Sequence, residues 1–445
     1  MLKIRLTALF AALTLFTAAS VFAQMKPIKF EKETLPNGLE VIYHVDKSAP
    51  IVATVIHYRV GSKDEMTTNT GYAHFFEHLM FEATGGYKRA ELDKIVEEAG
   101  GTLNAHTSFD ETVYYLKMPS NHIRTALWLE SQRMRGLKVE TVGVETQRGV
   151  VGEEQKMRRD NSPYGNLIDK LYGNLFKGAH YEWSVLGSAE HIKSAKISDF
   201  QAFYDKFYQP NNATLSIAGD FEIADAKKWV REYFGIFPKG PEPQRFEVNP
   251  APLTSTVRET VIDSKAQLPG LFIGFQSPKL TDPDYYAFSV LTTILSGGES
   301  SRLYKRLVSD EQAAVEASVQ EIPMEKAGAA FFVGIPTPGK DVAALEKLFD
   351  EEVKKVAKDG ITDKELEKVK NMNEASFIVS KKDALEKAET LANYNSYFRD
   401  PNLINSELEK YNAVTKEDVR RVAQKYLDTD KRVVLTYIPE SSKTN

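Results

Sequence analysis

The feature that most limits the fold is an order of elements that occurs twice. The segment Phe237-Pro238-Lys239-Gly240-Pro241-Glu242-Pro243 carries three prolines and a glycine, sustains neither helix nor strand, and divides the chain almost evenly. Before it, residues 39–45 and 51–60 read as a hairpin-like pair of strands, and residues 70–81 and 92–99 read as helices, the second closed by Gly100 and Gly101. Strands are expected at 102–108 and 112–118, helices at 123–135, 144–159, 166–176 and 197–208, and a strand at 213–218. After the linker come strands at 254–261 and 270–276, a helix at 285–295, strands at 314–320 and 329–335, and helices at 341–357 and 363–380. Each half closes alike: Phe200, Phe203, Tyr204, Phe207 and Tyr208 share their spacing with Val419, Val422, Ala423, Tyr426 and Leu427, and each set precedes a strand. Recurrence of the whole order points to internal duplication of an α+β unit. The expected domains are 24–236 and 254–445, facing each other across a linker at 237–253.

The 445 residues contain no Cys, which excludes disulfides, thiolate catalysis and Cys-ligated metals, so any metal must sit on His, Asp or Glu. With 57 basic against 62 acidic residues and no basic block interleaved with aromatics, a nucleic-acid partner has no electrostatic footing. Residues 1–23 carry Lys3 and Arg5, an apolar run over 6–16, and the small-residue end Ala18-Ala19-Ser20-Val21-Phe22-Ala23, which reads as a secretory signal cleaved after Ala23. The alternative is a retained anchor, against which stands an apolar core short for a bilayer. No later run is long enough to cross a membrane, so the mature chain is expected to be soluble in an exported compartment, in a bacterium the periplasm.

The chemistry concentrates in His74-Phe75-Phe76-Glu77-His78. Histidines at i and i+4 share a helix face one turn apart, close enough to bind one ion, with Glu77 beside the second. This is the reverse of the common zinc-peptidase order. Two His and one carboxylate leave a zinc position open for water, whose proton a neighbouring Glu can take. A third ligand is sought in the adjacent pair Glu153-Glu154, of which only one can face a metal because helix neighbours point about 100° apart.

On these residues the chain resembles the pitrilysin/insulinase family of zinc metallopeptidases, which includes the mitochondrial processing peptidases. The resemblance extends through Gly100-Gly101-Thr102-Leu103-Asn104-Ala105-His106-Thr107-Ser108, Asp160-Asn161-Ser162-Pro163, Asn211-Asn212-Ala213 through Gly219-Asp220, and Ser300-Ser301-Arg302-Leu303. It implies two homologous domains, each an antiparallel-rich sheet packed with helices. It also implies one zinc per chain on His74, His78 and Glu154, which stands 76 residues after His78, with Glu77 as general base. The strand at 102–108 is similar to the family's edge strand, which pairs with an extended substrate, and places Asn104 and Ala105 beside the scissile bond. Strand alternation turns His106 to the opposite face. His44, His57, His122, His180 and His191 have no partner at ligand spacing.

Two departures from the family pattern stand out. Many members carry in their second half an Arg and a Tyr, seven residues apart, that hold the substrate carbonyl; here those positions align with Val308 and Val315, with Arg302 and Tyr304 nearby at a different spacing. Gln147 stands where the family often has a Glu supporting the site. The resemblance therefore implies an exported zinc endopeptidase for peptides or unfolded segments, paired with a related metal-free subunit that supplies the Arg and Tyr. A homodimer is the other assembly, and a non-catalytic assembly or peptide-binding subunit the other function.

Overall fold

The computed structural model describes residues 26–441; the expected signal at 1–23 lies outside them. Eleven strands form two sheets among these residues. The first contains β1 (Glu31–Thr34), β2 (Glu40–Val45), β3 (Ile51–Tyr58), β4 (Thr102–Thr107), β5 (Thr112–Pro119) and β6 (Ala213–Gly219), in the order β1-β2-β6-β3-β5-β4. The second contains β7 (Val257–Asp263), β8 (Gly270–Ser277), β9 (Ala314–Pro323), β10 (Gly328–Pro336) and β11 (Val433–Pro439), in the order β7-β11-β8-β10-β9. Apart from the extra edge strand β1 the two sheets are topologically equivalent. In each, the last strand inserts parallel to the first and antiparallel to the second. The α+β architecture read from the duplication, with the antiparallel-rich sheets that the resemblance implies, is therefore present.

That insertion corrects one expectation. β2 and β3 do not form a hairpin pair, because β6 lies between them and bonds to both. The turn at residues 46–50 joins two strands that are second neighbours, a pairing that local periodicity cannot report.

Both faces of each sheet are buried, and the two faces differ in which half of the chain covers them. On the first sheet, Val41, Tyr43, Val52, Ile56 and Tyr58 pack on that half's own helices, through Phe75, Phe76 and Phe200 among others. The alternate residues Ala53, Val55, Val113 and Ala218 face Ala384, Ala388 and Ala392 of the helix Ala384–Phe398, which belongs to the second half. Alanines at i, i+4 and i+8 let this helix lie close against the pleat. Reciprocally, the helix Leu167–Leu175 of the first half covers the outer face of the second sheet, packing Leu171, Tyr172 and Leu175 with Phe272, Leu435 and Tyr437. Gly274 on β8 makes the room: a Cβ there would lie 2.5 Å from Leu171 Cδ1.

A buried ionic cluster joins the halves at a second place. Lys63 Nζ lies 3.0 Å from Asp64, 3.6 Å from Asp110 and 3.4 Å from Glu325, and Arg245 reaches Asp64 at 2.7 Å. Glu325 N donates to Asp110 Oδ2 at 2.9 Å, and Tyr181 Oη donates to the other oxygen at 2.6 Å. Burial alone raises the Glu325 carboxyl, but the Lys63 ammonium, followed by Lys326 and Arg59, outweighs it and holds the group at about 2.

Two predictions follow from this interlock. Enlarging the fully buried Ala388 to Leu overpacks the helix–sheet contact and costs about 1–3 kcal/mol, read as a lower midpoint in chemical denaturation; an unchanged midpoint would contradict the packing described. Because Glu325 is held below its ordinary 4.5, its ionised form stabilises the fold above that pH, and the contribution fades as pH falls towards 2. Wild type should therefore lose stability more steeply than E325Q across that window, and equal slopes would count against the cluster.

Candidate metal centre

The motif helix spans Tyr72–Leu79 and its start is fixed by three separate contacts. Gly71 takes φ +94°, a left-handed turn that glycine adopts without strain, and Gly187 packs so closely that a Cβ there would lie 2.2 Å from Gly71 N. Glu65, fully buried, accepts from Gly71 N at 2.8 Å, Ala73 N at 2.8 Å and Trp183 Nε1 at 3.1 Å, supplying a cap that the helix's own sequence lacks. Burial pushes the Glu65 carboxyl up to about 8 even against these donors.

The helix then sorts its residues by face. Phe75 stacks on Phe200 at 4.4 Å between ring centres, and Phe76 packs on Phe203, Tyr204 and Tyr208, which pins one side into the core. Tyr114 Oη donates to Phe76 O at 2.8 Å. His74, Glu77 and His78 are left on the other side. The two imidazoles meet edge to face, 4.9 Å between centres and 84° between planes.

The helix Thr141–Gln155 brings Glu154 to them. Its Oε2 lies 3.5 Å from His74 Nε2 and 3.1 Å from His78 Nε2, and the three ligand atoms all fall within 4.8 Å of one another. Its neighbour Glu153 is exposed and paired with Lys156 at 2.7 Å, so the adjacent-pair ambiguity resolves to Glu154 in space. Hydrogen bonds first from His74 and then from His78, against the opposing effect of burial, hold the Glu154 carboxyl well below the usual carboxylate range.

A zinc ion at 2.0–2.1 Å from such atoms requires edges of about 3.3 Å in a tetrahedron, and two imidazoles with one carboxylate leave a fourth corner open. The 3.5 and 3.1 Å between the carboxylate and the two imidazoles, and the donor set, fit that ion. His74 Nδ1 is buried without a partner, which leaves Nε2 as the ring nitrogen with polar neighbours.

A cavity of about 500 Å³ adjoins the cluster, with His74, Glu77, Ala105, Arg158 and Tyr172 in its wall and Ile322 contributed by the second half. β4 runs along it as the edge strand of the first sheet, paired on one side only with β5. Ala105 is buried in the wall, whereas Asn104 is exposed outside it, its Oδ1 accepting from Ala105 N at 2.9 Å. His106 also stands in the cavity wall beside Ala105, contrary to the opposite face that strand alternation predicts, with its Nε2 3.6 Å from Glu389 and 3.8 Å from Glu111. Burial lowers the His106 imidazole, and Glu111 and Glu389 more than offset this to raise it. His57, buried, pairs with Glu111, which also accepts from Tyr397 Oη of the second half at 2.6 Å.

The departures take definite positions. Gln147 Nε2 donates to the buried Glu82 at 2.8 Å, which also pairs with Arg89 at 3.1 Å. Arg302 is bound to Glu365 through two contacts of 2.6 and 2.9 Å and borders a different cavity. Val308 packs against the second core, while Val315 is 54% exposed. Sequence reasoning passed over Arg158, although its position four residues after Glu154 places it on the same helix face.

Comparison with known proteins agrees with this geometry. Residues 40–189 match the family model described as insulinase (peptidase family M16), and residues 194–373 match that of the peptidase M16 inactive domain. The zinc protease PqqE of Helicobacter pylori is 30% identical over 399 residues, 88% of each chain. The crystal structure of a protease from Helicobacter pylori superposes with a TM-score of 0.89 at 27% identity, covering 93% of this chain and 100% of that one. The first half of the periplasmic protease PqqL from Escherichia coli shares the fold, with a TM-score of 0.76 at 18% identity, covering 93% of this chain and 92% of that one. Two equivalent sheets, a reversed histidine motif and these matches together establish that the chain belongs to the insulinase family of peptidases, peptidase family M16.

Proposed function

We propose that this chain is an exported zinc-dependent endopeptidase that hydrolyses peptides or unfolded polypeptide segments. The observation that carries the reading is the convergence of the His74, His78 and Glu154 ligand atoms within 4.8 Å of one another, with His74 and Glu77 in the wall of the adjoining cavity. His74, His78 and Glu154 would hold one zinc ion, which when bound lowers the pKa of a coordinated water and polarises the scissile carbonyl. Glu77 takes the proton of the attacking water and returns it to the departing amide nitrogen.

An extended peptide pairs its main chain with the free edge of β4, so selection rests on side-chain pockets and not on main-chain sequence. In this reading Asn104 and Ala105 flank the scissile bond, with Ala105 on the cavity side. The leader at 1–23 supports export, in a bacterium to the periplasm. A related, metal-free subunit would enclose the cavity, restricting entry to unfolded or short chains; a second copy of this chain is the other arrangement.

The Glu77→Gln variant tests the assignment directly. It should lower turnover of a quenched-fluorescent peptide by about 10²–10⁴-fold while retaining one zinc per chain. His74→Ala and Glu154→Ala should lose the metal itself. Undiminished turnover in E77Q, assayed with the subunit composition at which wild type is active, would contradict the proposal.

A further inference from the structure

The metallopeptidase reading gives the charge that develops on the carbonyl oxygen no hydrogen-bond donor from the chain, and the inference drawn from it rests on that reading. Attack on a peptide bond moves the carbonyl π pair onto oxygen, in a site already bordered by the carboxylates of Glu77, Glu154 and Asp169. A donor aimed at that oxygen adds to the polarisation that a bound metal supplies. The second half presents aliphatic Val308 and Val315 at the aligned positions, and Arg302 is occupied by Glu365. Arg159 is likewise committed, to Asp169 at 2.8 Å, to Ser184 at 3.2 Å and to Gly187 O at 3.0 Å.

We propose that Arg158 of this chain is the catalytic donor to the carbonyl oxygen. The helix that delivers Glu154 continues into a π-helical turn at Lys156–Asp160, which carries Arg158 one turn further along the cavity face. Among the described residues lining the cavity, Arg158 is the only Arg or Lys. Its Nη2 sits 2.9 Å from Glu154 Oε1, the carboxylate oxygen opposite the one that faces the imidazoles. This puts the guanidinium one carboxylate's width from the ligand cluster. The side chain is 66% exposed and makes this single contact, so of its five N–H groups most are free. The planar fork lets one nitrogen keep Glu154 while another turns to the substrate.

In the step this assigns, the water oxygen bonds to the carbonyl carbon and its proton passes to the Glu77 carboxylate. The π pair moves to the carbonyl oxygen, which Arg158 meets with an N–H. On collapse the pair re-forms the double bond, the C–N bond breaks with its electrons to nitrogen, and Glu77 gives that nitrogen the proton. No oxidant or further reactant is needed. The donor that the resemblance assigns to a partner is thereby supplied in the same chain, and the partner's part reduces to enclosure.

The test compares wild type with R158A and R158K, each alone and with a metal-free relative. Three quantities are read: kcat and KM on a fluorogenic peptide, zinc content, and affinity for a peptide phosphinate that mimics the oxyanion. R158A should lower kcat about 10²–10³-fold with KM and zinc content unchanged, and should weaken phosphinate binding by a similar factor. Its affinity for an ordinary peptide, measured in the E77Q background, should not move. R158K, which keeps the charge but not the fork, should fall between R158A and wild type. Loss of zinc from R158A overturns the proposal, because Arg158 then serves only to hold Glu154. Unimpaired turnover in R158A also overturns it, including where activity appears only with the metal-free relative. A wild type that binds zinc but cleaves nothing, alone or with the relative, removes the peptidase reading and the inference together; an active wild type with an equally active R158A removes the inference alone.

Discussion

Each sheet in this protein has one face that its own half of the chain leaves bare, and a helix from the other half covers it. An uncovered apolar face of a five- or six-stranded sheet is not tolerated in water, since each fully buried Val, Leu or Phe there contributes about 1.5–3 kcal/mol by leaving it. The helix Ala384–Phe398 on the first sheet and the helix Leu167–Leu175 on the second therefore make the halves mutually dependent. Separated, either would expose one of these faces. The candidate metal centre inherits this dependence. Tyr172, on the exchanged helix of the first half, and Ile322, on β9 of the second, stand in the same cavity wall as His74 and Glu77. The cavity exists because the halves are locked.

The site itself is an exercise in aiming helices. The order His-Phe-Phe-Glu-His works because the same 3.6-residue repeat that turns the two phenylalanines into the aromatic core turns the histidines and Glu77 out of it. The helix start is fixed from outside by Glu65 and by the contact of Gly71 with Gly187, so the histidine pair is set by buried structure and not by its own short, uncapped helix. Side chains held by buried structure in this way need little rearrangement to take up a metal.

Much of this was legible in the sequence, and the remainder has physical reasons for being hidden. Duplication was visible because hydrophobic periodicity is local and the whole order recurs. The helix placing His74 and His78 on one face was visible for the same reason. The pairing of β2 and β3 was misread because β6 enters between them from some 160 residues further on, and periodicity records that a strand is buried, not what it bonds to. The exchange of helices was hidden likewise, since an apolar stripe such as Leu171, Tyr172 and Leu175 says nothing about which sheet it meets. Glu153 and Glu154 could not be separated by pattern; only the helix's rotation, with Glu153 turned to Lys156, does so. Arg158 was readable from its spacing after Glu154, but one turn beyond a ligand is informative only once the cavity is known to extend that way.

The central claim is that His74, His78 and Glu154 form one zinc site. It is tested most directly by anomalous diffraction at the zinc edge from crystals of the mature chain grown with zinc. The account predicts a single full-occupancy peak per chain, bonded to both Nε2 atoms and to the Glu154 carboxylate at about 2.0–2.2 Å. A peak elsewhere, or none among these three side chains at stoichiometric zinc, would contradict it.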